Sequence, residues 1–535
     1  MIELNEEFRR ALDLIEKTVS NVFVTGKAGT GKSTLLEYFR NNTQKNVVVL
    51  APTGVAALNV NGETIHSFFR FKPNITEPKV KKIKDKKNNI YKKVDAIIID
   101  EISMVRADLL DCIDKFLRLN GKNSKLAFGG AQMVFIGDLY QLPPVVPYKE
   151  KELFCEYYKS PYFFDAKAFE GFPMEFIELQ KVYRQKDEQF INLLNTIRNN
   201  SIDEEGLGLL NQRHGAEFKN KGGSCHIYLT TTNDMASQIN DEYLAKLKSR
   251  LYTFEAAMEG EFDKKYMPTE YALRLKPGAQ VMLLNNDSYG RWVNGSIGKV
   301  LDIRRNKDKE EDFVRVELSD GNVEDVYPYK WEIFHFRFND ETNHVEAEGV
   351  GYFIQFPLKL SWAVTIHKSQ GKTFDRVIID IGRGTFAHGQ MYVALSRCRS
   401  MEGIILKRPI EKKHILMDRR VVQFVTKYQY QLSERDMPLE DKSVMIKDAI
   451  DKGVLLEIIY LKASDVRSKR VVKPISIGQR EYMNKQFLGM DAFCLKRKEE
   501  RVFRVDRILE MKQKVGAGSA TLFDMPIMVE LRRNF

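Results

Sequence analysis

The sequence is poor in cysteine and contains no long apolar segment. Five cysteines are spread over 535 residues, and no two of them form a C-x-x-C pair. The sequence therefore indicates neither a zinc site nor a disulfide framework. No apolar run approaches the roughly 18 residues that a transmembrane helix requires, and residues 1–10 lack the apolar segment of a secretory signal. These absences predict a cytoplasmic protein with no membrane partner.

Acidic residues are also fewer than basic residues. The chain has 84 Lys and Arg against 73 Asp and Glu, a net charge of +11 and an isoelectric point near 9.0. An excess of positive charge favours a polyanionic partner. The hydrophobic content of 43% is enough for sizeable cores, and a chain of this length predicts about three or four domains.

Residues 21–36, NVFVTGKAGTGKSTLL, have the pattern of a short strand, a glycine-rich loop and a helix. The loop fits G-x-x-x-x-G-K-[ST]. In this motif backbone N–H groups surround phosphates, the lysine reaches the β- and γ-phosphates, and the hydroxyl faces Mg²⁺. The sequence therefore predicts a nucleotide site formed by Gly26, Ala28, Gly29, Thr30, Gly31, Lys32, Ser33 and Thr34.

Apolar runs typical of buried parallel strands recur at residues 47–50, 96–99 and 133–136, and they predict an α/β fold. Ligands of such sheets bind beyond the carboxyl ends of the strands. Polar residues follow each run in turn: residues 52–54, Asp100 with Glu101, and Gln141. Phosphoryl transfer needs a carboxylate for Mg²⁺ and a group that orients the attacking water. We assign Asp100 and Ser33 to the metal, Glu101 to the water and Gln141 to the γ-phosphate.

The most basic part of the chain, residues 79–93, follows three phenylalanines. The basic run could contact a phosphate backbone or be a solvated surface. The rings of Phe68, Phe69 and Phe71 could stack on bases or belong to the core. The sequence alone leaves both alternatives open.

The second half of the chain changes pattern twice. Apolar runs predict a second sheet from residues 226–231, 281–284, 376–381 and 403–406. Between about residues 295 and 352, short alternating segments separated by turns predict an all-β insertion. Residues 407–442 are polar and predict a helix and a connector, and a β-rich pattern begins near residue 444.

Seven ordered blocks resemble the motifs of superfamily-one DNA helicases, most closely the Pif/RecD-like branch. They span residues 20 to 410 and read GKAGTGKS, APTGVAA with TIHSFF, IIIDEISM, FIGDLYQLPPV, LQKVYRQ, TIHKSQGKTFDRVIID and MYVALSRCRS. The resemblance implies two RecA-like domains with ATP between them, single-stranded DNA across their tops and a small SH3-like barrel in the second domain. It also implies an ATP-dependent helicase that moves 5′ to 3′ and unwinds tailed or forked duplexes, here expected as a monomer.

The resemblance further implies roles for individual residues. Lys32, Glu101 and Gln141 are catalytic, together with Arg184 and Arg397, which match two arginines that the family supplies from the second domain. An arginine finger of this kind stabilises charge on the transferring phosphoryl group. DNA-facing blocks contain Pro52, Thr53, His66, Ser67, Phe68, Thr365, His367, Lys368 and Ser369. One departure concerns adenine recognition, because Phe8 stands where the family often has a glutamine.

The end of the chain resembles a WYL domain, a module common in prokaryotic regulators. Its pattern is matched by Tyr460, Arg470, Pro474, Arg504 and Arg507, although the naming tripeptide is Gln-Phe-Leu at residues 486–488. Basic residues, Arg470 and Arg504 among them, could hold single-stranded DNA or a nucleotide, or be a solvated surface against the motor. The implied setting is prokaryotic and nucleoid-associated.

The predicted domain limits follow from these patterns. They are 1–185 for the first RecA-like domain with an insertion at about 60–95, 186–430 for the second with the barrel at about 295–352, 431–443 for a linker, 444–515 for the WYL-like domain and 516–535 for a tail.

An alternative function is a single-stranded-DNA-binding regulator switched by nucleotide. The hydrolytic set of Asp100, Glu101 and Gln141 argues against it, because a passive switch does not need these groups.

Overall fold

The computed structural model describes residues 5–83, 89–217, 225–262, 267–306, 311–339, 341–342, 344–461, 467–482 and 485–514. The predicted tail 516–535 and part of the basic run 79–93 lie outside these residues. The chain divides into two compact units, Met1–Val421 and Val422–Phe535. Within the described ranges no helix has the length and apolar character needed to cross a membrane.

The first unit begins with a six-stranded parallel sheet, in which the predicted apolar runs form four of the strands. Its strands are β1 (Val22–Gly26), β2 (Val47–Ala51), β3 (Glu63–Thr64), β4 (Ala96–Ile99), β5 (Gln132–Ile136) and β6 (Glu175–Leu179). Their order is β3-β2-β4-β5-β1-β6, so β1 lies between β5 and β6, with Val22 level with Val134 and Glu175. All these pairs are parallel, which places the carboxyl ends of the strands at one edge.

Six helices accompany this sheet among the described residues: α1 (Glu6–Lys17), α2 (Lys32–Asn42), α3 (Gly54–Asn59), α4 (Ile65–Phe68), α5 (Ala107–Asn120) and α6 (Lys151–Tyr157). Helix α1 is capped by the Asn5 side chain, which accepts from the Phe8 N–H, and it buries Phe8, Ala11 and Ile15. These side chains pack with β1 and α2 residues in one apolar cluster. The burial of α1 therefore fixes residues 6–17 against the phosphate-loop strand.

The chain continues through α7 (Glu188–Arg198), α8 (Glu204–Asn211), β7 (Ile227–Thr230) and α9 (Asn233–Lys246) into a run of antiparallel strands. These strands are β8 (Tyr252–Glu255), β9 (Ala257–Gly260), β10 (Ala272–Leu275), β11 (Gln280–Leu283), β12 (Ile297–Asn306), β13 (Glu311–Leu318), β14 (Val323–Val326), β15 (Tyr329–Asn339), β16 (His344–Gln355) and β17 (Leu358–Leu360). The sheet orders are β10-β8, β14-β13-β12-β11-β17 and β15-β16-β9. The all-β insertion is thus present. In the described ranges its five-stranded sheet is open, since β14 and β17 do not pair with each other.

A second parallel sheet follows, formed by β7 with β18 (Ala363–Thr365), β19 (Val377–Asp380) and β20 (Ile404–Leu406) in the order β18-β7-β19-β20. Helix α10 (Gln390–Ser396) lies between β19 and β20 in the chain, and all of its residues are buried. One predicted strand is misassigned, because residues 281–284 belong largely to β11 of the antiparallel sheet. Val281 and Leu283 face one apolar cluster and Met282 faces another, so this strand is apolar throughout, as a parallel strand would be.

The second unit contains a five-stranded antiparallel sheet with one packed helix. Helix α11 (Arg419–Asp436) spans the division between the units and is followed by α12 (Leu439–Asp451), β21 (Leu455–Leu461), β22 (Arg467–Tyr482), β23 (Lys485–Cys494), β24 (Glu499–Arg504) and β25 (Ile508–Lys514). The strand order is β24-β23-β22-β21-β25. Ile446 and Ala449 of α12 are buried with Leu456, Ile458 and Met490 of the sheet. The β-rich pattern predicted from residue 444 is therefore present.

Candidate active site and nucleic-acid interface

The phosphate loop runs from the end of β1 to the start of α2. Gly29 and Gly31 have φ values of +80° and +87°, which side chains rarely adopt. A Cβ atom on Gly29 would lie 2.5 Å from the Arg184 Cβ, and one on Gly31 would lie 3.2 Å from the Phe8 ring. The loop is therefore held between α1 and the segment after β6, and only glycine fits at these two positions.

Lys32, the first residue of α2, turns its ammonium group back over the loop. The Lys32 Nζ donates to the carbonyls of Gly26 at 2.8 Å and Lys27 at 3.0 Å. Desolvation lowers the pKa of Lys32, while attraction from Asp138 and Glu101 opposes the shift. A partly desolvated ammonium beside a cradle of backbone N–H groups fits the phosphates that the motif predicts.

Asp100 and Glu101 follow directly after β4, as the sequence predicts. Desolvation and the nearby Asp100 carboxylate raise the pKa of Glu101 to about 7, and burial raises the pKa of Asp100. Glu101 also has the unusual φ of +50° for a residue with a side chain. Two adjacent carboxyl groups that disfavour their charged forms would be stabilised by a cation, so the donor set of Asp100 with Ser33 fits Mg²⁺.

Gln141 belongs to a buried network that includes two groups the motifs did not assign. The Gln141 Nε2 donates to Asp138 Oδ2 at 3.2 Å, and Asp138 Oδ1 pairs with Arg198 Nη2 at 3.0 Å. Burial raises the pKa of Asp138, but Arg198 and Lys32 outweigh it, so this carboxyl group stays charged. Arg198 also lies over the Tyr140 ring at 3.9 Å. The position of Asp138 after β5 was a usable signal, whereas Arg198 ends an ordinary amphipathic helix and gave none.

Arg397 follows α10 and is 1% exposed. Its guanidinium donates to Val393 O at 2.9 Å, Lys372 O at 3.2 Å and Ser396 Oγ at 2.9 Å. Burial and the neighbouring Arg184 lower the pKa of Arg397 to about 9, against attraction from Glu101. Arg397 therefore lies in the second half of the unit, electrostatically close to the candidate catalytic carboxylate.

Arg184 requires a correction, because its backbone belongs to the first sheet. It follows β6, and the neighbouring Tyr183 N–H donates to Gly29 O at 2.8 Å. Only its side chain reaches the second half, where Nη1 donates to Ser396 O at 3.2 Å. The short chain between β6 and Arg184 explains why this arginine cannot be supplied by the second sheet.

Gln370 is a functional candidate that residue-by-residue assignment missed, although it stands within the TIHKSQG block. Its Nε2 donates to Glu101 Oε2 at 3.0 Å. Gln370 lies in the turn after β18, two residues from Lys368, which is exposed. This bond connects a predicted DNA-facing turn to the candidate catalytic carboxylate.

The same turn divides its predicted DNA contacts into two groups. His367 is half-buried and its ring stacks on Phe386 at 6.1 Å, and Lys368 is exposed. Thr365 and Ser369 are 4% and 0% exposed. Thr365 Oγ1 accepts from the Lys368 N–H at 3.2 Å, and Ser369 Oγ donates to Ile366 O at 2.7 Å. The predicted side-chain contacts of Thr365 and Ser369 with DNA are corrected: these hydroxyls hold the turn.

The first half presents its DNA candidates around α3 and α4. Pro52 is half-buried and Thr53 is exposed as the N-cap of α3, where its side chain accepts from the Ala56 N–H. His66 and Ser67 on α4 are half-buried. Ser67 Oγ donates to Glu63 Oε1 at 2.7 Å and lies 3.3 Å from His335 Nε2.

The predicted DNA contact of Phe68 also needs correction, since the structure supports the core alternative. Its side chain is 5% exposed, and its ring packs edge-to-face on Phe69, Tyr91 and Phe336. An enclosed ring has no face for a base to stack on. Phe69 and Phe71 are also buried in this aromatic cluster.

In the second unit, the two predicted basic contacts differ. Arg470 is half-buried on β22, opposite Ile458. Arg504 donates to both carboxylate oxygens of Asp506, at 3.1 and 2.6 Å, and lies 5.0 Å from the Phe487 ring centre. Arg504 is therefore already paired with a carboxylate, whereas no ion pair of Arg470 is seen among the described residues.

Comparison with known proteins agrees with this geometry. The family model described as PIF1-like helicase matches residues 3–207, and the WYL domain model matches residues 444–513. The chain is 33% identical to the ATP-dependent DNA helicase Pif1 of Bdellovibrio bacteriovorus over 439 residues, which cover 80% of this chain and 93% of that protein. It is 33% identical to mouse PIF1 over 413 residues, 75% of this chain, and spans only 59% of the mouse protein.

Solved structures give the same assignment. Bacteroides sp Pif1 in complex with ADP-AlF4 matches with a TM-score of 0.72 and 36% identity, covering 81% of this chain and 98% of that chain. The same protein bound to single-stranded DNA matches with a TM-score of 0.59 and 37% identity, over 81% of this chain and 98% of that chain. The chain therefore belongs to the PIF1-like family of ATP-dependent DNA helicases and carries a C-terminal WYL domain.

Proposed function

We propose that this chain hydrolyses ATP to translocate along single-stranded DNA from 5′ to 3′ and unwinds tailed or forked duplexes. The observation that carries the proposal is the Gln370–Glu101 hydrogen bond of 3.0 Å. It joins the catalytic edge of the first sheet to a turn with the exposed Lys368. A change of DNA grip at this turn can therefore alter the group that activates water.

The hydrolytic roles are divided between the two sheets. Lys32 holds the β- and γ-phosphates in the loop formed by Gly26, Ala28, Gly29, Thr30, Gly31, Ser33 and Thr34. Glu101 orients the attacking water, and Gln141 reports the state of the γ-phosphate through Asp138 and Arg198. Arg184 and Arg397 stabilise charge on the transferring group. Adenine selectivity has less support than phosphate binding, because Phe8 is 2% exposed and packs against the loop.

Ser33 and Asp100 are the residues that would hold Mg²⁺. When bound, the ion neutralises charge on the phosphate oxygens. Burial raises the pKa of Asp100, and a cation beside this carboxyl group would favour its charged form. Both residues lie at the carboxyl edge of the first sheet, where they would hold the ion.

DNA grip involves one surface from each half of the unit. Pro52, Thr53, His66 and Ser67 contribute the first, and His367 with Lys368 contributes the second. Relatives support DNA as the partner, since Bacteroides Pif1 has been solved bound to single-stranded DNA. A second similar structure is described as the basis for DNA unwinding at forked duplex DNA by two coordinating Pif1 helicases. For this chain we propose that one copy suffices for translocation, which a rate per chain independent of protein concentration would support.

The test of this function is unwinding of matched duplexes with a 5′ or a 3′ single-stranded tail. We expect ATP-dependent unwinding of the 5′-tailed duplex alone. Unwinding from the 3′ tail alone would reject the direction, and failure on both substrates would reject the activity. The Lys32→Ala variant provides the blank for both reactions.

The second candidate, a nucleotide-switched DNA-binding regulator, predicts different kinetics. A switch binds DNA in a nucleotide-dependent manner without DNA-stimulated turnover. The buried network of Gln141, Asp138 and Arg198, with the raised pKa of Glu101, favours a hydrolase. Steady-state hydrolysis with and without single-stranded DNA separates the two functions.

We further propose that the WYL domain tunes DNA affinity or ATP hydrolysis, with Arg470 as a contact and Arg504 oriented by Asp506. Deleting residues 444–535 should weaken DNA binding or change the ATPase rate, and no change in either would make the domain a structural appendage. We also propose the domain limits that the sequence patterns give. The proposed location is the cytoplasm of a prokaryote, in association with the nucleoid.

A further inference from the structure

The hydroxyl of Tyr392 reaches the phosphate loop from the second parallel sheet. The backbone N–H of Ala28 donates to Tyr392 Oη at 2.9 Å, across 364 residues of sequence. Tyr392 lies on α10 and is 4% exposed. One of the loop amides predicted to surround phosphates therefore already has a hydroxyl group of the second half beside it.

Packing fixes the position of this hydroxyl. Gly389 precedes α10 with a φ of +71°, and a Cβ atom there would lie 2.3 Å from Tyr140 O and 2.4 Å from Gln141 O. The start of α10 thus touches the backbone of the segment that carries Gln141. All residues of α10 are buried, so the Tyr392 side chain is surrounded by packed protein.

The hydroxyl group has one proton that the surrounding protein does not use. Tyr392 Oη accepts from Ala28, and in the part of the chain that the structure describes this hydroxyl donates no hydrogen bond of its own. Burial and the Asp138 carboxylate raise the pKa of Tyr392 to about 12, so the phenol stays protonated near neutral pH. A buried donor without an acceptor is costly, and a phosphate oxygen is a strong acceptor.

The charges around Tyr392 indicate which phosphate it meets. Asp138, Arg198 and Arg397 act on its hydroxyl. Arg397 in turn interacts electrostatically with Glu101 and Arg184. These are the groups assigned above to the attacking water and the transferring phosphoryl group. Tyr392 therefore lies on the side of the loop where the terminal phosphate of a triphosphate belongs.

We propose that Tyr392 donates its hydroxyl proton to the terminal phosphate of ATP and thereby distinguishes ATP from ADP. The inference rests on the proposed function, because it requires ATP in the Lys32 loop. In this proposal Tyr392, on α10, senses which nucleotide is bound. Arg397 has a different role, which is to stabilise charge on the transferring phosphoryl group. Tyr392 would then report to the second sheet whether the loop holds a triphosphate.

The experiment compares Tyr392→Phe with the unmodified full-length chain. Equilibrium binding is measured for the β,γ-imido analogue of ATP and for ADP, each with Mg²⁺. Because a hydrogen bond to a charged group is lost, affinity for the analogue should fall about ten- to a hundred-fold. Affinity for ADP should change by less than about two-fold, since ADP lacks the phosphate in question.

Tyr91→Phe is the matched control. The Tyr91 hydroxyl is also buried, and it donates to Phe68 O over a distance of 2.6 Å. This bond is not part of the phosphate loop. This variant should lose comparable thermal stability without changing either affinity. Unchanged binding in Tyr392→Phe would overturn the inference, as would an equal loss for both nucleotides. Tighter binding of both nucleotides would also overturn it, because Tyr392 would then compete with phosphate for the Ala28 N–H.

Two further observations keep the test decisive. If Tyr392→Phe does not fold, amide exchange is measured in the unmodified chain, where the analogue should protect α10 more than ADP does; equal protection would contradict the inference. If the unmodified chain binds neither nucleotide, or binds as well after Lys32→Ala, the proposed ATP site itself fails. If the unmodified chain binds both nucleotides and Tyr392→Phe leaves the ratio of the two affinities unchanged, only the role of Tyr392 is rejected.

Discussion

The two parallel sheets of the first unit carry opposite parts of one site. The six-stranded sheet ends in the phosphate loop and in the carboxyl groups of Asp100, Glu101 and Asp138. The four-stranded sheet lacks such a loop among its described residues and contributes Arg397, Tyr392 and Gln370 instead. This difference supports our proposal that the first sheet binds the nucleotide and the second sheet completes the site.

Loss of Lys32 should remove the contribution of the first sheet. Lys32→Ala is expected to reduce steady-state ATP hydrolysis below detection, because the β- and γ-phosphates lose their cation, while DNA binding is largely retained. Lys45→Ala is the matched control, since Lys45 donates to Thr18 O and Gln132 Oε1 and supports the same sheet away from the loop. Turnover by Lys32→Ala near the wild-type rate would reject the site.

Loss of Arg397 should remove the contribution of the second sheet to catalysis. Arg397→Ala is expected to slow hydrolysis about a thousand-fold or more if the residue acts as an arginine finger, with a smaller change in nucleotide affinity. Arg213→Ala tests the structural alternative, because Arg213 also donates to backbone carbonyls, those of Ile404 and Glu402. Equal effects of the two substitutions on hydrolysis would make Arg397 a structural residue.

The pH dependence of hydrolysis should report Glu101. With a pKa of about 7, the base is protonated below neutrality. The value of kcat/KM for ATP, which reports the groups of the free protein, should fall about ten-fold per pH unit in that range and level off above it. Glu63 provides the control, since burial raises its pKa to about 7 outside the site. An acid limb that disappears in Glu63→Gln would contradict the assignment.

Loss of Gln370 should lower the DNA-stimulated rate of ATP hydrolysis more than the basal rate, because Gln370 connects the two sheets. Gln370→Ala is expected to lower DNA-stimulated hydrolysis about ten-fold, because a hydrogen bond to a carboxylate is removed, with a smaller change in the basal rate. The acid limb should also move to higher pH, since a donor to the charged form of Glu101 is lost. Gln238→Ala removes a similar bond, to Glu242 at 2.9 Å on α9, and should change neither rate.

The smallest effect concerns the contact between β3 and β15. Glu63 accepts from the Phe336 N–H at 3.3 Å and has a raised pKa because it is buried. A carboxyl group with a raised folded-state pKa stabilises the fold at low pH, and this stabilisation is lost as the pH rises through about 7. Glu63→Gln should therefore reduce the loss of thermal midpoint between pH 5 and pH 8. An unchanged pH dependence would exclude Glu63 as its source.

Local motifs predicted much of the site, whereas contacts between distant segments were out of reach. Lys32, Asp100 and Glu101 are readable because each follows a strand in a short pattern with a chemical reason. The Asp138–Arg198 pair joins two elements 60 residues apart, and nothing in α7 marks Arg198. The Ala28–Tyr392 and Glu101–Gln370 bonds are longer-range still. Such pairs are set by the packing of the two sheets, which no local pattern encodes.

The same reasoning explains where sequence patterns misled. Phe68 has the composition of a stacking surface, but its ring is enclosed by Tyr91 and Phe336. Burial of a ring depends on partners far along the chain. Strand β11 looks parallel because two different cores bury its two faces. Both cases show that an apolar pattern reports burial and not the partner that provides it.

Steady-state ATP hydrolysis with and without single-stranded DNA shows whether the second sheet completes a site begun by the first. We predict slow basal hydrolysis that DNA accelerates in the unmodified chain, and loss of most of this acceleration in Gln370→Ala. Hydrolysis that is equally fast with and without DNA would contradict the account.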